Sequence, residues 1–406
     1  MSDANRVRLS FVEETSFGDK ETGSNLTVLR YNSESLKQDM NTTISEEIRS
    51  DRQITDIARI GVSASGGMEF ELSYGSHDTF LMAALQAASW ESEVKLSADL
   101  TISASSVDNS INDSGSGFGS FTANQWVYVS GFTTAANNGF FKIKSVAAGK
   151  LVLWNGTLVT EVAGDAVTVQ QGGYIENGTT LVSYNLEKDY QDLSTVLSLL
   201  KGMSINGMGL EVPADGIIKG TFDFMGSSEE SLAATAGPGY VVANTNQVMT
   251  GANHVINFLE DFDETSILSL SLNLSNNLRT RMVVGTLGVA SMGSGTVEIT
   301  GTVTLHMANS TLFDKYLDQD TTSIVFAARD GDGNGILIEL PSVKIIDGQR
   351  NAGGINTDVI GTFEFRAFMD ADELVSIRIA RFPIMNNFYG SVLATSSATG
   401  ALSGCS

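Results

Sequence analysis

The chain has 406 residues, enough for two or three domains. Apolar residues make up 42 % and charged residues 17 %, a globular composition that excludes general disorder. The 24 basic and 47 acidic residues leave a net charge of −23, which excludes binding nucleic acid by neutralising its phosphates.

Cysteine occurs once, at Cys405, so no disulfide framework forms within one chain. With only three histidines, no zinc site is expected, nor any other cofactor. The start, Met1-Ser2-Asp3, lacks the charged-then-apolar order of a signal peptide, and no run of about 18 apolar residues predicts a membrane helix. A protein made and assembled in the cytoplasm is expected. Four prolines against 41 glycines, with abundant Ser, Thr and Val, predict strands joined by Gly-rich turns.

In chain order, the first 30 residues carry little pattern and read as an arm or a disordered end. A polar segment holding Arg49 and Arg52 precedes a strand in which Glu69 and Glu71 alternate with Met68, Phe70 and Leu72. Thr79–Leu85 reads as a short amphipathic helix. Ser105–Ser120 is rich in Ser, Gly and Asp and reads as a flexible loop. Gln125–Val129, Phe140–Val146 and Leu151–Trp154 read as short strands, with turns at Asn137-Asn138-Gly139 and Ala148-Gly149. Trp126 and Trp154 fall at positions that favour core packing. Leu193, Val196, Leu197 and Leu200 share a helical stripe, predicting a helix over Tyr190–Leu200. In Gly220–Phe224, Thr221 and Asp223 oppose Phe222 and Phe224.

The second half repeats this pattern. ISEEIRS at 44–50 matches LSNNLRT at 274–280, which places Arg279 and Arg281 as counterparts of Arg49 and Arg52. Thr79–Leu85 matches Thr311–Leu317, Thr179-Thr180 matches Thr321-Thr322, and GTFDF at 220–224 matches GTFEF at 361–365. Thr180 to Gly220 spans 40 residues and Thr322 to Gly361 spans 39. Glu298 with Thr300, Thr302 and Thr304, and Thr362 with Glu364, again oppose apolar neighbours. Leu85 to Thr179 spans 94 residues, whereas Leu317 to Thr321 spans four, so the first copy carries an inserted β-domain.

Catalytic chemistry is not indicated. His77, His254 and His306 are scattered, and His77 and His306 read as solvated. Asp330-Gly331-Asp332-Gly333-Asn334-Gly335 imitates half of a calcium loop, but its twelfth position is Pro341 and strand patterns flank it, so a hairpin turn is expected.

The segment ISEEIRSDRQITDIARIGVSASGGMEFELSYGSHDTFLMAAL, the inserted NQWVYVSGFTTAANNGFFKIKSV and the later GIIKGTFDFMG resemble the tail tube (major tail) proteins of long, non-contractile bacteriophage tails. The resemblance covers about residues 28 to 380. It implies a mainly β fold: two tandem β-sandwiches with short flanking helices and a small inserted β-domain. It also implies rings of six sandwiches stacked into a tube, here three duplicated chains per ring. About 24 lumen strands at roughly 4.8 Å spacing and about 40° tilt give a barrel on the order of 48 Å across, leaving a bore of about 35–40 Å. The expected organisation is 1–92 plus 176–237 for the first copy, 93–175 for the insert, 238–383 for the second copy and 384–406 for a tail. Glu69, Glu71, Asp223, Glu298, Glu364, Thr221 and Thr362 are expected in the lumen, and Arg49, Arg52, Arg279 and Arg281 at subunit contacts. The implied partners are further copies of the chain, a tape-measure protein and double-stranded DNA in the bore, and tail terminator and tail-tip proteins, in a virion. The rival reading is a tail-tip or decoration protein whose insert binds carbohydrate.

Overall fold

The computed structural model describes residues 3–154, 156–194, 196–251, 256–259, 267–307 and 310–384. They are mainly β, with α-helices at Asp78–Ala84 and Thr311–Asp318, where the sequence predicts short helices. The tail at 384–406, apart from Ile384, and His254 lie outside the described residues.

One compact unit comprises Met1–Trp90, Ile175–Gly331 and Leu337–Ile379. Its largest feature is a continuous antiparallel sheet of eight strands. In spatial order they are Lys37–Ile44 (with the short Ser33–Glu34 in line with it, together called Ser33–Ile44 below), Ile57–Glu71, Lys219–Gly226, Leu197–Pro213, Ile267–Ser275, Glu298–His306, Val359–Ala367 and Gly335–Ala352. The first four belong to the first sequence repeat and the last four to the second.

The register shows the duplication directly. Phe222 faces Met68 on one side and Met208 on the other; Phe363 faces Val303 and Gly348. Even the irregularities recur. A bulge between Ile205 and Gly207 sits opposite Phe224 and Asp223, and one between Ile345 and Asp347 sits opposite Phe365 and Glu364. This register pairs Phe222 with Phe363 but matches Arg279 to Thr43, not to Arg49: Thr43 faces Ala58 as Arg279 faces Gly293. The likeness of ISEEIRS to LSNNLRT is therefore not a structural equivalence. Likewise Glu69 corresponds to Thr304, and Glu298 corresponds to Ser63.

The inward face of the sheet is aromatic and aliphatic. Phe70, Phe222, Phe224, Phe363 and Phe365 are all buried. The helix Asp78–Ala84 adds Phe80, whose ring lies 5.6 Å from Phe222 and 5.3 Å from Tyr184. Gly220 and Gly301 occur where a phenylalanine ring crosses the neighbouring strand. A Cβ there would sit 2.2 Å from Phe70 and 2.3 Å from Phe365, respectively.

A second sheet closes the core of the first repeat. In the first repeat it runs Leu26–Val28, Val7–Glu13, Tyr184–Tyr190, Leu197–Lys201, Ser228–Leu232. In the second, Ile256–Leu259 pairs with Thr321–Arg329. Two expectations are corrected here. The N-terminus is a paired strand with Leu9 buried, not an arm. Just past this strand, Glu14 anchors the adjoining chain, accepting the N–H groups of Gly18 at 2.8 Å and Gly202 at 2.6 Å and the Ser183 hydroxyl at 2.6 Å. The predicted helix over Tyr190–Leu200 is instead the end of one strand, a turn and the start of Leu197–Pro213. Buried between Tyr184–Tyr190 and Ser228–Leu232, that strand has Leu199 and Leu200 both inside, and such an apolar run imitates a helix stripe.

The second unit comprises Glu91–Tyr174, Asp332–Ile336 and the described residues from Ala380. It holds an antiparallel sheet of seven strands in the order Val94–Asp99, Val167–Gln171, Trp126–Ser130, Gly139–Ala147, Lys150–Leu153, Ser110–Asp113, Ile102–Ser105. The expected Ser105–Ser120 loop is ordered: Ile111 and Phe118 are fully buried, and the Asp113 carboxylate accepts the N–H groups of Gly115 at 2.6 Å and Gly117 at 2.5 Å. Trp126 is in the core as expected. Trp154 is 56 % exposed, with the Lys144 ammonium 4.5 Å from its ring centroid.

Candidate functional site

The outward face of the eight-stranded sheet gathers the sequence-predicted polar residues. Side chains directly opposite one another in a sheet share a face. One row crosses all eight strands: Ser33, Glu69, Thr221, Gly209, Asn273, Thr300, Arg366, Lys344. The next row on one side carries Asp223, Gly207, Ser275 and Glu298. On the other side Glu71 faces Lys219, and Thr302 faces Glu364, which also faces Asp347. Thr362 lies one row further, between Thr304 and Gln349. All seven predicted lumen residues thus lie on one continuous surface built by both repeats.

The surface is polar but not uniformly acidic. Glu69, Asp223 and Glu364 are exposed. Glu298 pairs with Arg366, and Asp39 pairs with Lys37 at 2.7 Å. The Ser33 hydroxyl donates to Glu69 at 2.8 Å, and the Asn32 amide donates to Glu71 at 3.2 Å. Gly207 and Gly209 leave a shallow trough at the middle of the sheet, bordered by Thr221, Asp223, Asn273 and Glu298.

The four arginines lie at one end of this sheet. Arg49 is exposed and pairs with Asp51 at 2.6 Å, and Arg52 takes a left-handed backbone at φ 58°. Both belong to the connection joining Lys37–Ile44 to Ile57–Glu71. Arg279 and Arg281 lie on the short strand Arg279–Arg281, paired with Ser291–Gly293 and exposed. The Arg279 guanidinium donates to the Ser294 carbonyl at 3.1 Å.

The sheet has the form of a surface, not of a reaction centre: its polar side chains spread across strands instead of converging on one point. A profile of the phage tail tube protein family matches residues 4–367. The chain belongs to that family. No curated protein matches the sequence closely. The tube protein is therefore a structural component of the virion that assembles with itself into a tail tube, and membership implies no catalytic role. No helix among the described residues is long and apolar enough to cross a membrane.

Sequence reasoning missed two strands of the tube protein's polar sheet, although their signal was present. Ile267–Ser275 alternates with period two, with Leu272 and Leu274 buried and Asn273 exposed. In Leu197–Pro213 the alternation Met203, Ile205, then Met208, Leu210, Val212 is interrupted by the bulge, which hid it. The strands flanking Asp330–Asn334 are present, at Thr321–Arg329 and Gly335–Ala352.

His77 is a correction with a consequence. It is 2 % exposed, not solvated. Its ring centroid lies 4.3 Å from that of Phe70, and Nε2–H donates to the Arg30 carbonyl at 2.9 Å. Burial holds its pKa down to about 4. The unfolded chain takes up this proton near pH 6.5, while the folded chain does so only near 4. Stability is therefore full above pH 6.5 and falls by about 1.4 kcal/mol per pH unit on the way down to 4. In His77→Gln this component of the slope should vanish, read as a smaller Tm difference between pH 7.5 and pH 5.

Proposed function

We propose that three chains close into a ring of six sandwiches, with the polar sheet face lining the bore. The observation that carries this is the order of the strands. The last strand of the first repeat pairs with the first strand of the second, so the repeats join head to tail. Ser33–Ile44 and the outer half of Gly335–Ala352 remain as the two sheet edges. Head-to-tail contacts generate closed rings when the rotation per unit closes, and closure removes edges that would otherwise aggregate. With four strands per repeat, six repeats give a barrel of about 24 strands, about 48 Å across and wide enough for duplex DNA.

Such a bore suits passage without grip. Hydroxyls, amides and carboxylates keep a hydrated layer, and the surplus of negative charge offers phosphates no counterion-release gain. Within this reading the bore holds a tape-measure protein before DNA passes, terminator and tip proteins cap the tube in the host cytoplasm, and Arg49, Arg52, Arg279 and Arg281 contact neighbouring subunits. The purified protein should form tubes in negative-stain electron microscopy, built of rings that native mass spectrometry reads as trimers. Hexameric rings, or a compact monomer at all concentrations, would reject the trimeric ring.

A further inference from the structure

The joint between the two repeats holds more than a strand order. It fixes a register, running from Gly207 opposite Ser275 to Pro213 opposite Ser269. A second contact accompanies it. The connection after Arg281 folds back over the first repeat, where the Val62 N–H donates to the Leu287 carbonyl at 2.9 Å and the Ser227 hydroxyl donates to the Val289 carbonyl at 2.9 Å.

We propose that this joint is repeated, residue for residue, between neighbouring chains, so that the free edge of the second repeat takes the free edge of the next chain's first repeat in a defined register. The proposal rests on the ring reading and adds the atoms that close it. Through the shared register, Gly209 corresponds to Gln349 and Asn273 corresponds to Lys37. Gln349 therefore faces Lys37 of the next chain. On either side, Asp347 faces Asp39 and Asn351 faces Ser35. Residues 343–352 pair with Val359–Ala367 and residues 37–44 pair with Ile57–Glu71.

The clasp transfers in the same way. The counterpart of the 281–291 connection is 45–56, which carries Arg49 and Arg52. The counterparts of Val62 and Ser227 are Val297 and Phe368. Both sides expose apolar side chains: Ile48 is fully exposed and Ile54 60 % exposed, against Phe368 at 40 % and Met369 at 57 %. Exposed Asp372 is close by in the chain on the receiving side, suited to an arginine. The inner joint covers the matching groups, with Val289 buried at 3 %.

The two joints differ in one informative respect. Leu210, Val212, Leu270 and Leu272 make the inner joint apolar on its core side. Their counterparts at the free edges are Arg350, Ala352, Glu34 and Leu36. A joint made within one chain is never exposed, whereas edges that wait for a partner need charge to stay soluble.

The register gives a sharp test. In the inner joint the Asn276 N–H donates to Asn206 at 2.7 Å and the Ala214 N–H donates to Leu268 at 3.0 Å, so Gly209 and Asn273 form a non-hydrogen-bonded pair. Such pairs bring Cα atoms to about 4.5 Å, within disulfide reach. In the full chain with Cys405→Ser, Gln349→Cys with Lys37→Cys should oxidise to covalent trimers on non-reducing gels. Asn351→Cys with Ser35→Cys is a second pair in the same register and should do likewise. Gln349→Cys with Ser33→Cys is four residues out of register and should stay at least tenfold less cross-linked. Rings that form while neither in-register pair cross-links, or while the out-of-register pair does so equally, overturn the register and leave the ring standing. Absence of rings in Cys405→Ser alone removes the ring reading and this proposal with it.

Discussion

Arg378→Ala is expected to lower the stability of the tube protein by about 3–5 kcal/mol, which at roughly 2–4 °C per kcal/mol is a Tm loss of roughly 6–20 °C. Arg378 heads the largest fully buried side chains. Its guanidinium meets Glu339 at 2.6 Å, Glu176 at 2.8 Å and Glu373 at 3.0 Å. Burial disfavours its charge, but the three carboxylates outweigh burial and its pKa is raised. These partners come from both repeats: Glu176 lies where the chain re-enters the first, Glu339 and Glu373 in the second. Removing the cation takes away the guanidinium that Glu339, itself 1 % exposed, meets at 2.6 Å. Arg378→Met combined with Glu339→Leu should recover part of the loss, since the two most buried charges then disappear together while Glu176 and Glu373 keep theirs. Differential scanning calorimetry decides it. A Tm loss under about 2 °C in Arg378→Ala would show that the cluster is hydrated and weak.

Reversing charge on the polar face should convert the proposed passive bore into a binding one. Glu69, Asp223 and Glu364 are exposed and lie in three adjacent rows of the sheet. Changed together to lysine, each position swings by two charges, which is 18 charges for each ring of the proposed trimeric form. Exposed substitutions of this kind usually shift stability by about 0.5 kcal/mol or less each, so tubes should still form. They should retain duplex DNA at low salt and release it as salt rises, because each lysine–phosphate contact contributes roughly one released counterion to the salt slope. Lysines at Asp19, Asp215 and Asp318, which are exposed but not among the rows of this face, form the control. Equal DNA retention by both variants would show that net charge, and not the sheet face, governs the interaction.

Local sequence pattern determined much of this protein. Alternation at Met68–Leu72 and in the two GTF segments set which side chains leave the core, because the strand period is two and a buried face cannot be shifted by one residue. The same alternation placed all seven polar candidates on one surface, and equal spacing exposed the duplication. Where both faces of a segment are buried, pattern misled: Leu193–Leu200 imitated a helix because the successive residues Leu199 and Leu200 are both buried. His77 misled because part of what encloses it, the Arg30 carbonyl, comes from a connection 47 residues away.

Only tertiary structure decided how the repeats meet. No residue of Leu197–Pro213 announces that its second edge will pair with Ile267–Ser275, because backbone hydrogen bonding is blind to sequence and register is imposed by packing on the inward face. The bulges at Asn206 and Ile346 are equally silent in the sequence, yet they align the two repeats better than any string match. The matched strings aligned Arg49 with Arg279; the hydrogen-bonded register aligned Thr43 with it, six residues away, because paired strands fix a register that a string match does not see.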